Sequence, residues 1–96
     1  MAVRSGRQER RISLAVPVEI STLQDPSVTE RTCTEDVCSV GVRVLTRQPR
    51  ERNERLVVRA LEGSLRAQAR VVYCQKHPSG RFAVGLRFVG MRVKEW

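Results

Sequence analysis

Apolar and polar residues alternate with a period of two along most of this chain. Ile12, Leu14, Val16, Val18 and Ile20 fall at every second position, the signature of a strand with one buried face. Pro17 lies on the opposite face, which predicts an edge position or a bulge. The same alternation returns in Leu65, Ala67, Ala69, Val71 and Tyr73, and again in Phe82, Val84, Leu86 and Phe88. Leu56 to Leu61 is strand-like, and Val28 to Glu35 is polar but rich in threonine, which suits a pleated surface. The stretch Glu35 to Leu45 reads as a polar turn followed by a strand, with Val42, Val44 and Leu45 broken by Arg43.

Turn signals separate these segments. They are Ser21 to Ser27 with Asp25-Pro26, the charged connector Gln48 to Asn53 containing Pro49, Glu62-Gly63, and His77-Pro78-Ser79-Gly80. Residues 1–11 have no apolar periodicity and form a flexible basic arm; residues 12–96 form the folded domain. Six strands with short turns and no periodic helix predict an all-β fold, an antiparallel sheet closed into a small barrel filled by side chains. Met91 to Trp96 is expected to be a single helical turn or a loose tail.

Composition narrows this picture. Ninety-six residues supply one core, 41% of them are apolar, and only four are aromatic, so that core is aliphatic. Valine is conspicuous, and branched side chains favour strands. No apolar run is long enough to cross a bilayer. The charged N-terminal residues carry no signal-peptide pattern, so a cytosolic location is expected. Cys33, Cys38 and Cys74 are an odd number without metal-ligand spacing, and read as free thiols. Eighteen basic residues against ten acidic ones give +8, with lysine only at Lys76 and Lys94. Arginine forks onto phosphate and stacks on flat rings, so the composition permits an anionic partner; arginine-biased codon usage gives the same count.

The chemistry of catalysis is poorly represented. His77 precedes a proline in a turn, reads as a solvated loop histidine, and has no evident nucleophile partner. Glu35 and Asp36 are adjacent, so in a regular strand they point to opposite faces and cannot act as a pair. Neither a G-x-x-x-x-G-K-[ST] nor a G-x-G-x-x-G sequence occurs. The chain reads as a binder and not an enzyme, with no metal and no cofactor.

The binding signals come in two pieces: Arg7-Gln-Glu-Arg-Arg11 just ahead of the first strand, and Asp36-Val-Cys38-Ser39-Val-Gly41. Singly, the arginines read as solvated charges, Asp36 as a turn former and Gly41 as an ordinary turn glycine. Together, the two pieces resemble the PilZ domain, the bacterial receptor module for cyclic di-GMP, whose hallmarks are R-x-x-x-R before the first strand and [DN]-x-S-x-x-G further on. The likeness extends to Arg11-Ile-Ser-Leu-Ala-Val-Pro-Val-Glu-Ile, to Gly41-Val-Arg-Val and to Ala83-Val-Gly-Leu-Arg-Phe88.

The resemblance implies a six-stranded PilZ-type barrel that binds cyclic di-GMP through Arg7, Arg11, Asp36 and Gly41, with Arg10, Cys38 and Ser39 beside them. It also implies that the arm wraps over ligand on the barrel surface and that a downstream protein partner reads the result. Asp36 can accept from a guanine edge, and Gly41 would allow a left-handed turn and close backbone approach. Cys38 departs from the pattern, standing where the family has serine. A thiol is the weaker donor, and one ordinary hydrogen bond is worth about 1 kcal/mol, roughly fivefold in affinity. A barrel of this kind that has lost nucleotide binding and serves only as a protein adaptor is the alternative. A nucleic-acid-binding barrel fits the charge but lacks the interleaved surface aromatics that stack bases.

Overall fold

The computed structural model describes residues 15–93 apart from positions 26 and 64, with side chains as far as position 89. Six strands form: β1 (Pro17–Thr22), β2 (Thr29–Cys38), β3 (Gly41–Thr46), β4 (Arg55–Ala60), β5 (Leu65–Lys76) and β6 (Phe82–Val93). Every pairing is antiparallel, and the order β1-β2-β3-β6-β5-β4 closes because β4 pairs back onto β1. The described residues contain no helix, so none is long and apolar enough to cross a membrane. The all-β antiparallel barrel expected from the alternation is the observed architecture.

The inward positions are those the period of two selects. Val18 and Ile20 of β1, Val42 and Val44 of β3, Leu56 and Val58 of β4, Ala69 and Val71 of β5, and Val84 and Leu86 of β6 form one core, with Phe82 and Phe88 partly buried against it. Small branched side chains suit a narrow barrel whose interior must be filled without voids. β2 contributes almost no apolar surface, and its one buried residue is Thr34. Its place in the sheet rests on backbone hydrogen bonds to neighbours on both sides, which closure supplies. Thr34 also receives the incoming chain. Its N–H donates to the Val16 carbonyl at 3.0 Å, and the Val16 N–H donates to Thr34 Oγ1 at 2.9 Å.

Three boundaries differ from the sequence expectation. β1 begins at Pro17, the first residue of the strand, where a missing N–H leaves no gap in the ladder. Ile12 and Leu14 lie outside the described residues, as does the arm. β2 runs on to Cys38, so Glu35 to Cys38 are strand and not turn; only Ser39 and Val40 connect β2 to β3. A β-bulge makes this possible, because Thr34 pairs with Val44 and Asp36 with Arg43, leaving Glu35 as the extra residue. Finally, Met91–Val93 continue β6 in place of a helical turn or loose tail. The start of β5 offers them ladder partners, with Leu65 opposite Val93 and Ala67 opposite Met91.

On the outer face, Glu19 of β1 stands between Arg31 of β2 and Arg59 of β4. The hydrogen bond from Arg59 outweighs desolvation and holds the Glu19 carboxyl below its ordinary 4.5; Arg31, 3.7 Å away, adds to the effect. A carboxyl whose folded-state value is depressed contributes stability above its unfolded value, and that contribution is lost as pH falls. Replacing Glu19 with Gln is therefore expected to flatten the decline in stability below pH 4.5, followed by urea denaturation at a series of acid pH values. An unchanged slope refutes the assignment.

Candidate ligand groove

The site begins with a repeated tripeptide. Gly41-Val42-Arg43 on β3 and Gly85-Leu86-Arg87 on β6 run antiparallel in a register that sets Gly41 opposite Arg87, Val42 opposite Leu86, and Arg43 opposite Gly85. Val42 and Leu86 point into the core, so the glycines and arginines face outward. Two outward glycines on a diagonal leave a depression in the barrel wall.

Each glycine has its own steric reason. A Cβ on Gly41 would stand 2.2 Å from the Leu86 carbonyl oxygen, a backbone atom that cannot swing aside. The expected left-handed turn is absent, since the positive φ angles among the described residues belong to Asn53, Gly63 and Gly80. Gly41 serves close approach alone. A Cβ on Gly85 would stand 2.2 Å from Cε2 of Tyr73, which lies opposite on β5. Tyr73 thus covers a strand glycine from outside the barrel and does not fill its interior.

β2 completes the arrangement, with Asp36 opposite Arg43 and Cys38 opposite Gly41. Two outward rows result, Asp36–Arg43–Gly85–Tyr73 and Cys38–Gly41–Arg87–Arg70. All of these but Arg70 line a shallow groove of about 130 Å³, together with Val40, Val42, Val72 and Leu86. Bulges flank it on both sides, at Glu35 in β2 and at Val72 in β5, and bulges re-aim side chains next to sites.

The bulge also revises the reading of the adjacent carboxylates. Glu35 and Asp36 both reach the outer face, where Arg43 Nε donates to Glu35 Oε1 at 2.9 Å and Asp36 lines the groove. The second Glu35 oxygen lies 3.6 Å from His77 Nε2. His77 Nδ1 accepts from the Ser79 N–H at 3.1 Å and contacts the Ser79 hydroxyl at 2.8 Å. In the neutral ring the proton therefore sits on Nε2, facing Glu35. His77 is not a plain solvated loop residue; its ring is held by Ser79 within the turn and stands beside the Glu35 carboxylate at the β2 bulge. Arg87 is exposed and makes no ion pair with any described residue, so its guanidinium fork is open to an anion.

Of the residues expected from the sequence, Asp36, Cys38 and Gly41 come together in this groove. Ser39 is exposed in the two-residue connection and does not line it. Arg7, Arg10 and Arg11 lie outside the described residues. Arg43, Gly85 and Arg87 were missed, although the repeated Gly-apolar-Arg was visible as a sequence signal. Cys33, Cys38 and Cys74 are free thiols.

The two glycines are expected to rank differently on substitution. Gly41→Ala meets backbone and should cost about 1–3 kcal/mol or more. Gly85→Ala meets a side chain that can rotate away, and should cost less while exposing Tyr73. Chemical denaturation of both variants, with Tyr73 followed by NMR, checks the order; equal losses contradict it.

Comparison with solved structures bears on the fold. The chain is similar to the Bacillus subtilis inhibitor of motility MotI/DgrA, with a TM-score of 0.73 and 20% identity, over 93% of this chain and 45% of that one. It spans less than half the length of that protein. It is also similar to the PilZ domain of CeSA from a cellulose-synthesizing bacterium, with a TM-score of 0.64 and 21% identity, over 83% of this chain and 81% of that one. No protein-family model and no curated protein matches the sequence. The six-stranded closed barrel of this chain is a PilZ-type fold.

Proposed function

We propose that this domain is a binding module, not an enzyme, and that it is a receptor for cyclic di-GMP held on the outer groove beside β3. The observation that supports this best is that Arg87 and Tyr73, distant in the chain, stand in one groove with Arg43 and with Asp36, Cys38 and Gly41 of the sequence pattern. In this reading Arg87 and Arg43 fork onto phosphate oxygens, Asp36 accepts from a guanine edge, and Tyr73 offers a ring for stacking. Arg7, Arg10 and Arg11 of the arm supply the remaining cations.

Magnitudes favour a closing arm over a rigid pocket. The groove, at about 130 Å³, is smaller than the roughly 300–1,000 Å³ usual for enclosed small-molecule sites, so most of a dinucleotide would lie outside it. Charged hydrogen bonds contribute about 1.5–3 kcal/mol each, and four give on the order of 6–12 kcal/mol. Ordering each arm residue costs about 1–2 kcal/mol. Micromolar affinity, about 8 kcal/mol, then requires that only a short part of the arm becomes ordered. That ordering changes the surface offered to a protein partner, and the likeness in fold to an inhibitor of motility fits an output of that kind.

A second reading, a protein adaptor without nucleotide, is favoured by one observation. Cys38 stands in the groove at the position where the sequence pattern calls for serine. Calorimetric titration with cyclic di-GMP, beside GTP, decides between them. The receptor reading expects saturable binding of cyclic di-GMP, abolished by Arg11→Ala with the fold intact, and tightened about fivefold by Cys38→Ser. No heat, together with no amide shift near Asp36, leaves the adaptor. Unchanged affinity in Arg11→Ala overturns the arm's role.

A further inference from the structure

Charge is segregated around the barrel wall. Strands β1 to β3 contain Glu19, Glu30, Glu35 and Asp36, whereas β4, β5 and β6 contain no acidic residue at all. The outer face of these last three strands carries Arg55, Arg59, Arg66, Arg70 and Arg87. The register sharpens the point, because Arg55 lies directly opposite Arg70, Arg70 opposite Arg87, and Arg59 opposite Arg66. Like charges directly opposite on antiparallel strands are destabilising. Glu19 relieves Arg59, but Arg55, Arg66, Arg70 and Arg87 make no ion pair with any described residue. Arg70 has only the neutral amide oxygen of Asn53, at 3.2 Å. The fold itself gains nothing from this opposition.

We infer that the outer face of β4, β5 and β6 is a docking surface for an acidic protein segment. The arginines form two ranks, Arg59–Arg66 and Arg55–Arg70–Arg87, four residues apart along the strands, which is about 13 Å. Between them stands the neutral pair Val57 and Gln68, and Val89 is exposed at the β6 bulge. A small apolar centre within a charged rim, rich in arginine and free of lysine, is the composition of protein interfaces. No aromatic ring stands between the ranks to stack a base. The fitting partner carries two carboxylate groups about 11–12 Å apart on one face around an apolar side chain, a spacing of about seven or eight residues on a helix, and the long arginine side chains span the small remainder.

The test uses the full chain and its Arg55→Glu/Arg66→Glu variant. Both residues are exposed and neither lines the groove, so this outcome is independent of the nucleotide titration. A fluorescent helical peptide with Glu-Glu pairs about seven or eight residues apart on one face around a leucine is titrated by anisotropy, beside a DNA duplex and phosphatidylserine vesicles. The expected result is saturable peptide binding that weakens with salt and at least about tenfold in the variant. Its thermal midpoint should rise by roughly 2–8 °C as each glutamate meets an arginine. No peptide binding at low salt, or equal binding by the variant, overturns the proposal. Tighter binding of duplex or vesicles, lost in the variant, also overturns it and gives the face to nucleic acid or membrane. A lowered midpoint removes the argument from like-charge opposition.

Discussion

The pairing of β3 with β6 constrains everything else about the outer groove. At Gly41 the two backbones approach so closely that a methyl group would stand 2.2 Å from the Leu86 carbonyl oxygen. That contact cannot be relieved by a rotamer change, because the backbone fixes where the methyl carbon stands and its partner is a main-chain carbonyl. It forces a residue without a side chain at an outward position, and the register then sets Arg87 opposite it and Gly85 opposite Arg43. Packing on the inside and an open groove on the outside follow from the same pairing. Val42 and Leu86 fill the core between the two glycine–arginine pairs.

The barrel also explains how a strand as polar as β2 holds the site's acid and thiol. In an open sheet a strand with one buried side chain would sit at an edge, where its free backbone groups invite pairing with another chain. Closure gives β2 partners on both sides for much of its length. Past Thr34 the β1 ladder ends, and the bulge at Glu35 turns Asp36 and Cys38 toward the groove. The bulged carboxylate is held by Arg43 at 2.9 Å and stands near His77. The groove is thereby carried mainly on strands β2, β3, β5 and β6, with the β5–β6 turn standing beside its bulged carboxylate.

Much of this fold was legible because its core obeys a period of two. Val18, Ile20, Val84 and Leu86 could be assigned inward from spacing alone, and all are buried. Asp36, Cys38 and Gly41 were legible as a local pattern, and three residues this close in sequence stay close in any hairpin. What spacing does not carry is register across strands distant in the chain. Arg87 lies more than forty positions from Gly41, yet the two are direct partners. The bulge at Glu35 was equally hidden, since β2 is too polar to show an apolar alternation whose phase could slip, and it reversed the expectation that Glu35 and Asp36 face apart. Tyr73 occupies a position continuous with an inward series, and the bulge at Val72 moves it to the outside.

The same limit applies to charge. A net charge of +8 is compatible with an even coat of arginine, and composition alone does not tell a coat from a patch. Strand order resolves the ambiguity, because the closed sheet places β4, β5 and β6 side by side. These are the strands without acidic residues, and their adjacency converts a statistical excess into direct opposition of arginines. Stability alone favours glutamate at one member of each such pair, as Glu19 of β1 shows by bridging Arg31 of β2 and Arg59 of β4 at the border of the basic face. Where one part of a wall follows that rule and the adjoining part departs from it in three register pairs, selection for the isolated fold does not account for the departure. An acidic partner does, since each arginine then meets its carboxylate across an interface in place of a neighbouring strand.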